Sequence, residues 1–94
     1  MTRAITEAPV ESYLVRRVKE TGGDHRKVTW PGRRGAPDRL CGWPRQAAFV
    51  ELKRPGEVPT AAQLREHAKL RAMGFKVEVI SDFDQVDAFV RRMA

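Results

Sequence analysis

Cysteine is almost absent from this chain. Cys41 stands alone among 94 residues, so no disulfide can close within the chain and no cysteine-based zinc site can be built from it. A reducing, intracellular and cytoplasmic setting is expected. Long apolar runs are missing too, and those present fall far short of the ~20 residues a membrane-spanning helix needs. The opening "MTRAITEAPVE" has no hydrophobic region of the kind that directs export. Neither a membrane span nor an exported precursor is expected. Repeats, low-complexity tracts and any linker long enough to separate distinct domains are likewise missing. Residues 1–94 should therefore serve one core, large enough to fold alone and too small to enclose a large substrate pocket.

What the sequence does have is charge. Lys and Arg number 18 and Asp and Glu 12, a net +6 spread along the chain without a basic tail. Such an excess on a small domain favours a polyanionic partner, nucleic acid first among them. A first helix is expected from Thr6 as N-cap, with Pro9 tolerated in its first turn, to the Gly22-Gly23 pair. Strand patterns occupy residues 27–30, 38–41 and 47–53. Thr60 and Gln63 have capping-box spacing at the start of a second helix that closes at Gly74. "FKVEVI" alternates as a strand, and a last helix over about 84–92 puts Val86, Phe89, Val90 and Met93 on one side. The order α-β-β-β-α-β-α predicts an α/β fold, a small mixed sheet flanked by helices.

The segment "GAPDRLCGWPRQAAFVELK", residues 35–53, places acids where apolar residues would pack better. Alternation along a strand puts Glu51 and Lys53 on one face and Val50 and Leu52 on the other. A reversal around Pro44 and Arg45 pairs Trp43 with Gln46, Cys41 with Ala48 and Asp38 with Glu51, so Asp38, Glu51 and Lys53 converge. Pro44 suits a type I turn better than the primed turns usual in two-residue hairpins, and a longer loop or bulge would shift this register. Two adjacent carboxylates repel, and a hard divalent cation such as Mg²⁺ between their oxygens relieves the repulsion. A neighbouring lysine can orient water and stabilise charge developing on a phosphate. The alternative is a surface salt-bridge cluster, Asp38 with Arg39 or Glu51 with Lys53. On the first helix, Val10, Leu14 and Val18 form an apolar stripe with Glu7 inside it and Glu11 at its edge. Acids placed there call for a metal, an arginine or hydrogen-bond donors. The plainer alternative puts Glu7 in a frayed first turn and pairs Glu11 with a nearby arginine.

An acid on the first helix, then "GRRGAPD", "VELK", "TAAQ" and "LRAMGFKVEVI", together resemble the VRR-Nuc domain of the PD-(D/E)xK nuclease superfamily. The resemblance runs from about Glu7 to Val90 and is nearest to the stand-alone versions of bacteriophages and bacteria. It implies a restriction-endonuclease-like α/β fold and a metal-dependent DNA endonuclease using Mg²⁺ or Mn²⁺. On the family's motif, Asp38 matches the metal-binding aspartate and Glu51 the second acidic ligand, with the Leu52 backbone carbonyl as an additional ligand. Lys53 matches the catalytic lysine. Gln63 matches a glutamine that contacts the site or the nucleic-acid backbone, although capping with Thr60 would also explain it. Glu7 agrees best with the family's helix acid, and Glu11 lies one turn away on nearly the same face. Stand-alone members resemble Holliday-junction resolvases and act as homodimers, so branched DNA, a four-way junction or a flap, and a second copy of the chain are the implied partners. The alternatives are a non-catalytic DNA-binding module and a monomeric flap or nicking nuclease. Arg33 and Arg34, between Gly32 and Gly35, are expected on phosphates near the scissile bond, with Lys27, Arg39 and Arg54 extending that surface. His67, one turn beyond Gln63, either hydrogen-bonds at the site or serves packing. Phe75, Phe83 and Trp43 are the apolar residues expected at a dimer interface.

Overall fold

A computed structural model of the chain describes residues 8–94. The elements are α1 (Ala8–Glu20), β1 (Asp24–Lys27), β2 (Arg39–Trp43), β3 (Gln46–Leu52), α2 (Ala61–Ala72), β4 (Lys76–Ile80) and α3 (Phe83–Met93). The expected cap Thr6 and the expected helix acid Glu7 lie outside the described residues. The strands form one sheet in the order β1-β2-β3-β4. The first three run antiparallel, and β4 runs parallel to β3. The α/β architecture and its element order are those the sequence predicts.

Side chains that alternate along the strands divide between two layers. Cys41, Ala48, Val50, Leu52 and Ile80 pack on Val10, Leu14 and Val18 of α1 and on Val86, Phe89, Val90 and Met93 of α3. Trp43 closes this layer edge-on against Phe89, with ring centroids 5.7 Å apart, and its indole N–H donates to the Thr21 hydroxyl at 3.0 Å. It is thus a partly buried residue at the edge of the core. The Tyr13 hydroxyl donates to Asp87 at 2.6 Å and ties α1 to α3. Phe49 and Glu51 point to the opposite face, where α2 lies. Burial pushes the Cys41 thiol up to about 11, which keeps it protonated and inert.

The β2–β3 hairpin keeps the predicted register, with Trp43 opposite Gln46, Cys41 opposite Ala48 and Arg39 opposite Val50. Among the described residues no non-glycine has a positive φ, so the Pro44-Arg45 connection cannot be a primed turn. A turn of the type I kind closes it without a shift.

The first strand departs from expectation. It spans Asp24–Lys27, and residues 28–30 leave the sheet after the Val28 amide donates to the Asp38 carbonyl at 2.9 Å. Two contacts explain the shift. Gly23 lies so close to β2 that a Cβ there would sit 2.8 Å from the Gly42 oxygen and the Trp43 ring, which starts the pairing early. Trp30 then folds back, its indole donating to the Pro37 carbonyl at 2.6 Å and its ring meeting Phe49 edge-on at 5.3 Å. Among the described residues no helix is long and apolar enough to cross a membrane.

Candidate active site

The hairpin register brings the predicted polar residues together. Asp38 directly precedes Arg39, whose partner is Val50, so the next step along the strands sets Asp38 beside Glu51. The ladder continues past β3, because the Lys53 amide donates to the Ile80 carbonyl at 2.9 Å. Asp38, Glu51, Leu52 and Lys53 line one polar cleft of about 470 Å³ together with Glu11, Arg54 and Glu57. Glu51 and Lys53 are buried, at 9% and 7% exposure, whereas Asp38 is open to solvent. A surface salt-bridge cluster does not describe this arrangement. Neither Asp38 nor Lys53 makes an ion pair with a described residue.

Helix α2 meets Glu51, one of the residues lining this cleft. Thr60 caps it through a complete capping box. Gln63 makes two contacts: its Oε1 accepts from the Thr60 amide at 2.9 Å, and its Nε2 donates to Glu51 Oε2 at 3.4 Å. One turn on, His67 is fully buried with its Nε2 3.7 Å from Glu51 Oε1. Burial first, then Arg71 and Lys53, hold its imidazole below the ordinary 6.5.

The loop that carries Asp38 is pinned to α2. Gly35, at φ +75°, lies so near that a Cβ would sit 2.8 Å from the Ala62 and Gln63 backbone. Arg33 is 3.6 Å from the buried carboxylate of Glu66. Arg33, Arg34, Arg54 and Lys27 are exposed, and Arg54 pairs across its own turn with Glu57 at 3.8 Å. Arg39 is a correction. It was expected on the nucleic-acid surface, yet it is 3% exposed and donates to Glu11 Oε2 at 2.5 Å and to His25 Nδ1 at 2.8 Å. Its place in β2 turns it towards α1, where a buried guanidinium must have a carboxylate partner. Glu11 therefore borders the cleft and is held by Arg39, the plainer of its two expected roles.

No protein-family model matches the sequence. A protein named "Putative nuclease p44", from Acyrthosiphon pisum secondary endosymbiont phage 1, is 49% identical over 83 residues, covering 87% of this chain and 89% of its own length. A solved structure named "VRR_NUC domain" aligns over 97% of this chain and all of its own, at 39% identity and a TM-score of 0.85. The chain belongs to the VRR-Nuc family. A second VRR_NUC structure, at 17% identity and a TM-score of 0.73 over 95% of the chain, shows the same fold. This VRR-Nuc domain is thus a nuclease-type fold, with Asp38, Glu51 and Lys53 in its cleft and Gln63 on the Glu51 carboxylate.

Three participants escaped the sequence reading of this VRR-Nuc domain. Glu57 lines the cleft, and its spacing from Arg54 across the Pro55-Gly56 turn was the available cue. Glu66 and His25 act through contacts to Arg33 and Arg39 that no local pattern announces. The cleft as a whole is lined by four acids, Glu11, Asp38, Glu51 and Glu57, and two bases, Lys53 and Arg54, so it is acid-rich on a chain of net charge +6.

Proposed function

We propose that this VRR-Nuc domain is a Mg²⁺- or Mn²⁺-dependent endonuclease that hydrolyses phosphodiester bonds of branched DNA and works as a resolvase-like homodimer. The supporting observation is the inversion of charge at the cleft. A basic surface attracts a phosphodiester, but the neighbouring carboxylates of Asp38 and Glu51 would repel it at the point of reaction. A hard cation on those oxygens removes the conflict. Among the described residues no three His, Cys, Asp or Glu side chains are grouped to cage a metal. The donor set is instead Asp38, Glu51 and the Leu52 carbonyl, which fits a cation that binds one or two carboxylates and fills its remaining positions with water and substrate oxygen.

When bound, such a cation polarises the phosphate and lowers the pKa of water. The chain's own residues supply the rest. The Lys53 ammonium, on the same strand face as Glu51, stabilises charge gathering on the phosphate and orients the attacking water. Gln63 steadies Glu51. Arg33, Arg34, Arg54 and Lys27 hold flanking phosphates. Glu7 and Glu11 are the two candidates for the one helix acid of the family's motif, and Glu11 is already bound to Arg39. Coordinated cuts in a four-way junction need two sites related by a two-fold axis, hence the dimer.

The test is cleavage of matched duplex, flap and four-way-junction DNA with Mg²⁺, Mn²⁺ or EDTA. Asp38→Asn and Glu51→Gln should abolish cleavage while DNA binding survives, and Lys53→Met should lower turnover by roughly 10²-fold or more. Cleavage undiminished in Asp38→Asn or Glu51→Gln would remove the site. A monomer by light scattering that nicks flaps and leaves junctions intact would remove the resolvase reading and leave the nuclease reading standing.

A further inference from the structure

His67 lies deep in the fold with no exposed surface, yet among the described residues neither of its ring nitrogens has a hydrogen-bond partner. Buried polar atoms normally find partners, and a histidine kept only to fill space would be better replaced by an apolar side chain. What faces its Nε2 is Glu51 Oε1 at 3.7 Å, while Gln63 Nε2 addresses the other oxygen, Oε2, at 3.4 Å. Gln63 and His67 are one turn apart on α2, so they share a helix face. That face sets Gln63 Nε2 against one oxygen of the carboxylate and His67 Nε2 near the other. Each carboxylate oxygen has two lone pairs, so a donor on one does not use up the oxygen's capacity to hold a cation.

We propose that His67 is a positioning residue: its Nε2–H donates to Glu51 Oε1 and, with Gln63, fixes the carboxylate in the orientation that holds the divalent cation. The proposal rests on the metal-dependent reading above. At 3.7 Å the contact is longer than a hydrogen bond, and an approach of under about 1 Å makes it one, as happens when loosely aligned catalytic contacts tighten on loading. The tautomer follows from the surroundings. With the proton on Nε2, the nitrogen left unpartnered is Nδ1 as a lone pair, whereas a proton on Nδ1 would bury a donor and set two acceptors, Nε2 and Glu51 Oε1, against each other.

The experiment compares His67→Gln, which keeps a donor near the Nε2 position, with His67→Met, which keeps a similar stem and no donor. Mn²⁺ affinity is measured by calorimetry without DNA, and folding by thermal melts. His67→Met should bind Mn²⁺ about ten-fold or more weakly while melting no lower than the wild type, since it removes unpartnered polar atoms from the interior. His67→Gln should recover affinity to within a few-fold. A folded His67→Met with wild-type affinity, or His67→Gln no better than it, would overturn the role. Nitrogen-15 NMR of the wild-type imidazole keeps the question decidable if His67→Met does not fold: an Nε2–H tautomer whose shift moves on adding Mg²⁺ supports the proposal, and an Nδ1–H tautomer refutes it. Failure of the underlying reading looks different. It would appear as no Mn²⁺ binding by the wild type, or as binding unchanged in Glu51→Gln, and either result would remove the role of His67 with it.

Discussion

Gly35 shows how much of the site hangs on a single backbone contact. An added methyl would meet main-chain atoms of α2 at 2.8 Å, at a φ of +75°, so Gly35→Ala combines left-handed strain of about 1–2 kcal/mol with a clash that only a shift of the loop relieves. Gly56→Ala, at φ +84° with nothing within 4 Å, carries the strain alone. Urea titrations should show Gly35→Ala to be clearly the less stable of the two, and only Gly35→Ala should lose cleavage, because the loop it displaces carries Asp38. Equal effects would mean that the loop is not braced by α2. The identity of Asp38, Glu51 and Lys53 as a cluster was legible in the sequence because a hairpin count is local arithmetic. Arg39 was misplaced because its partner Glu11 lies 28 residues away, and a buried ion pair between distant elements leaves no periodic trace.

At the scale of elements, α2 joins stability to chemistry. Its capping box spends Gln63 Oε1 on the Thr60 amide and leaves the amide nitrogen for Glu51. Thr60→Ala should cost about 1 kcal/mol of stability, as loss of an N-cap does, and should weaken Mn²⁺ binding although Thr60 is not a ligand. The signals that start and stop helices were readable because they sit within four residues of one another. β1 was not, since Asp-His-Arg-Lys has no apolar alternation and is a strand only because β2 pairs with it. His25 on that strand and His67 on α2 are both held below 6.5, chiefly by burial. The unfolded chain therefore takes up their protons first as the pH falls. Stability should be full above about 6.5 and should decline below it until the folded-state pKa values are passed. Urea midpoints from pH 8 down to about pH 5 check this, and a flat profile would contradict the burial of both rings.

For the whole molecule, the decisive quantities are the net charge and the distribution of exposed apolar groups. If the basic side chains near the cleft contact phosphates, log affinity for duplex DNA should fall linearly with log salt, by about 0.9 per contact. Replacing Arg33 and Arg34 together with Ala should flatten that slope, and an unchanged slope would put the DNA elsewhere. Phe75 and Phe83, expected from sequence at one dimer interface, do not share a face. Phe75 meets Phe49 on the α2 side at 5.5 Å, and Phe83 meets Tyr13 on the α1 side at 5.1 Å. A symmetric contact can therefore centre on one of them and not both. Fold class was legible because seven elements leave a 94-residue chain few ways to cover a sheet. Which faces stay open depends on side-chain packing across elements, which sequence order does not encode.

The two tryptophans of the chain stand at separate places in it. Trp30 is fastened by its indole to the Pro37 carbonyl, one residue before Asp38, while Trp43 rests on Phe89 at the edge of the core. Indole emission depends on the immediate surroundings of the ring, so the protein carries two optical probes that report different events. With Trp43 replaced by Phe, the remaining emission follows any lifting of the loop that carries Asp38; with Trp30 replaced, it follows loss of the core. Loop opening and global unfolding can then be timed apart in an unlabelled protein.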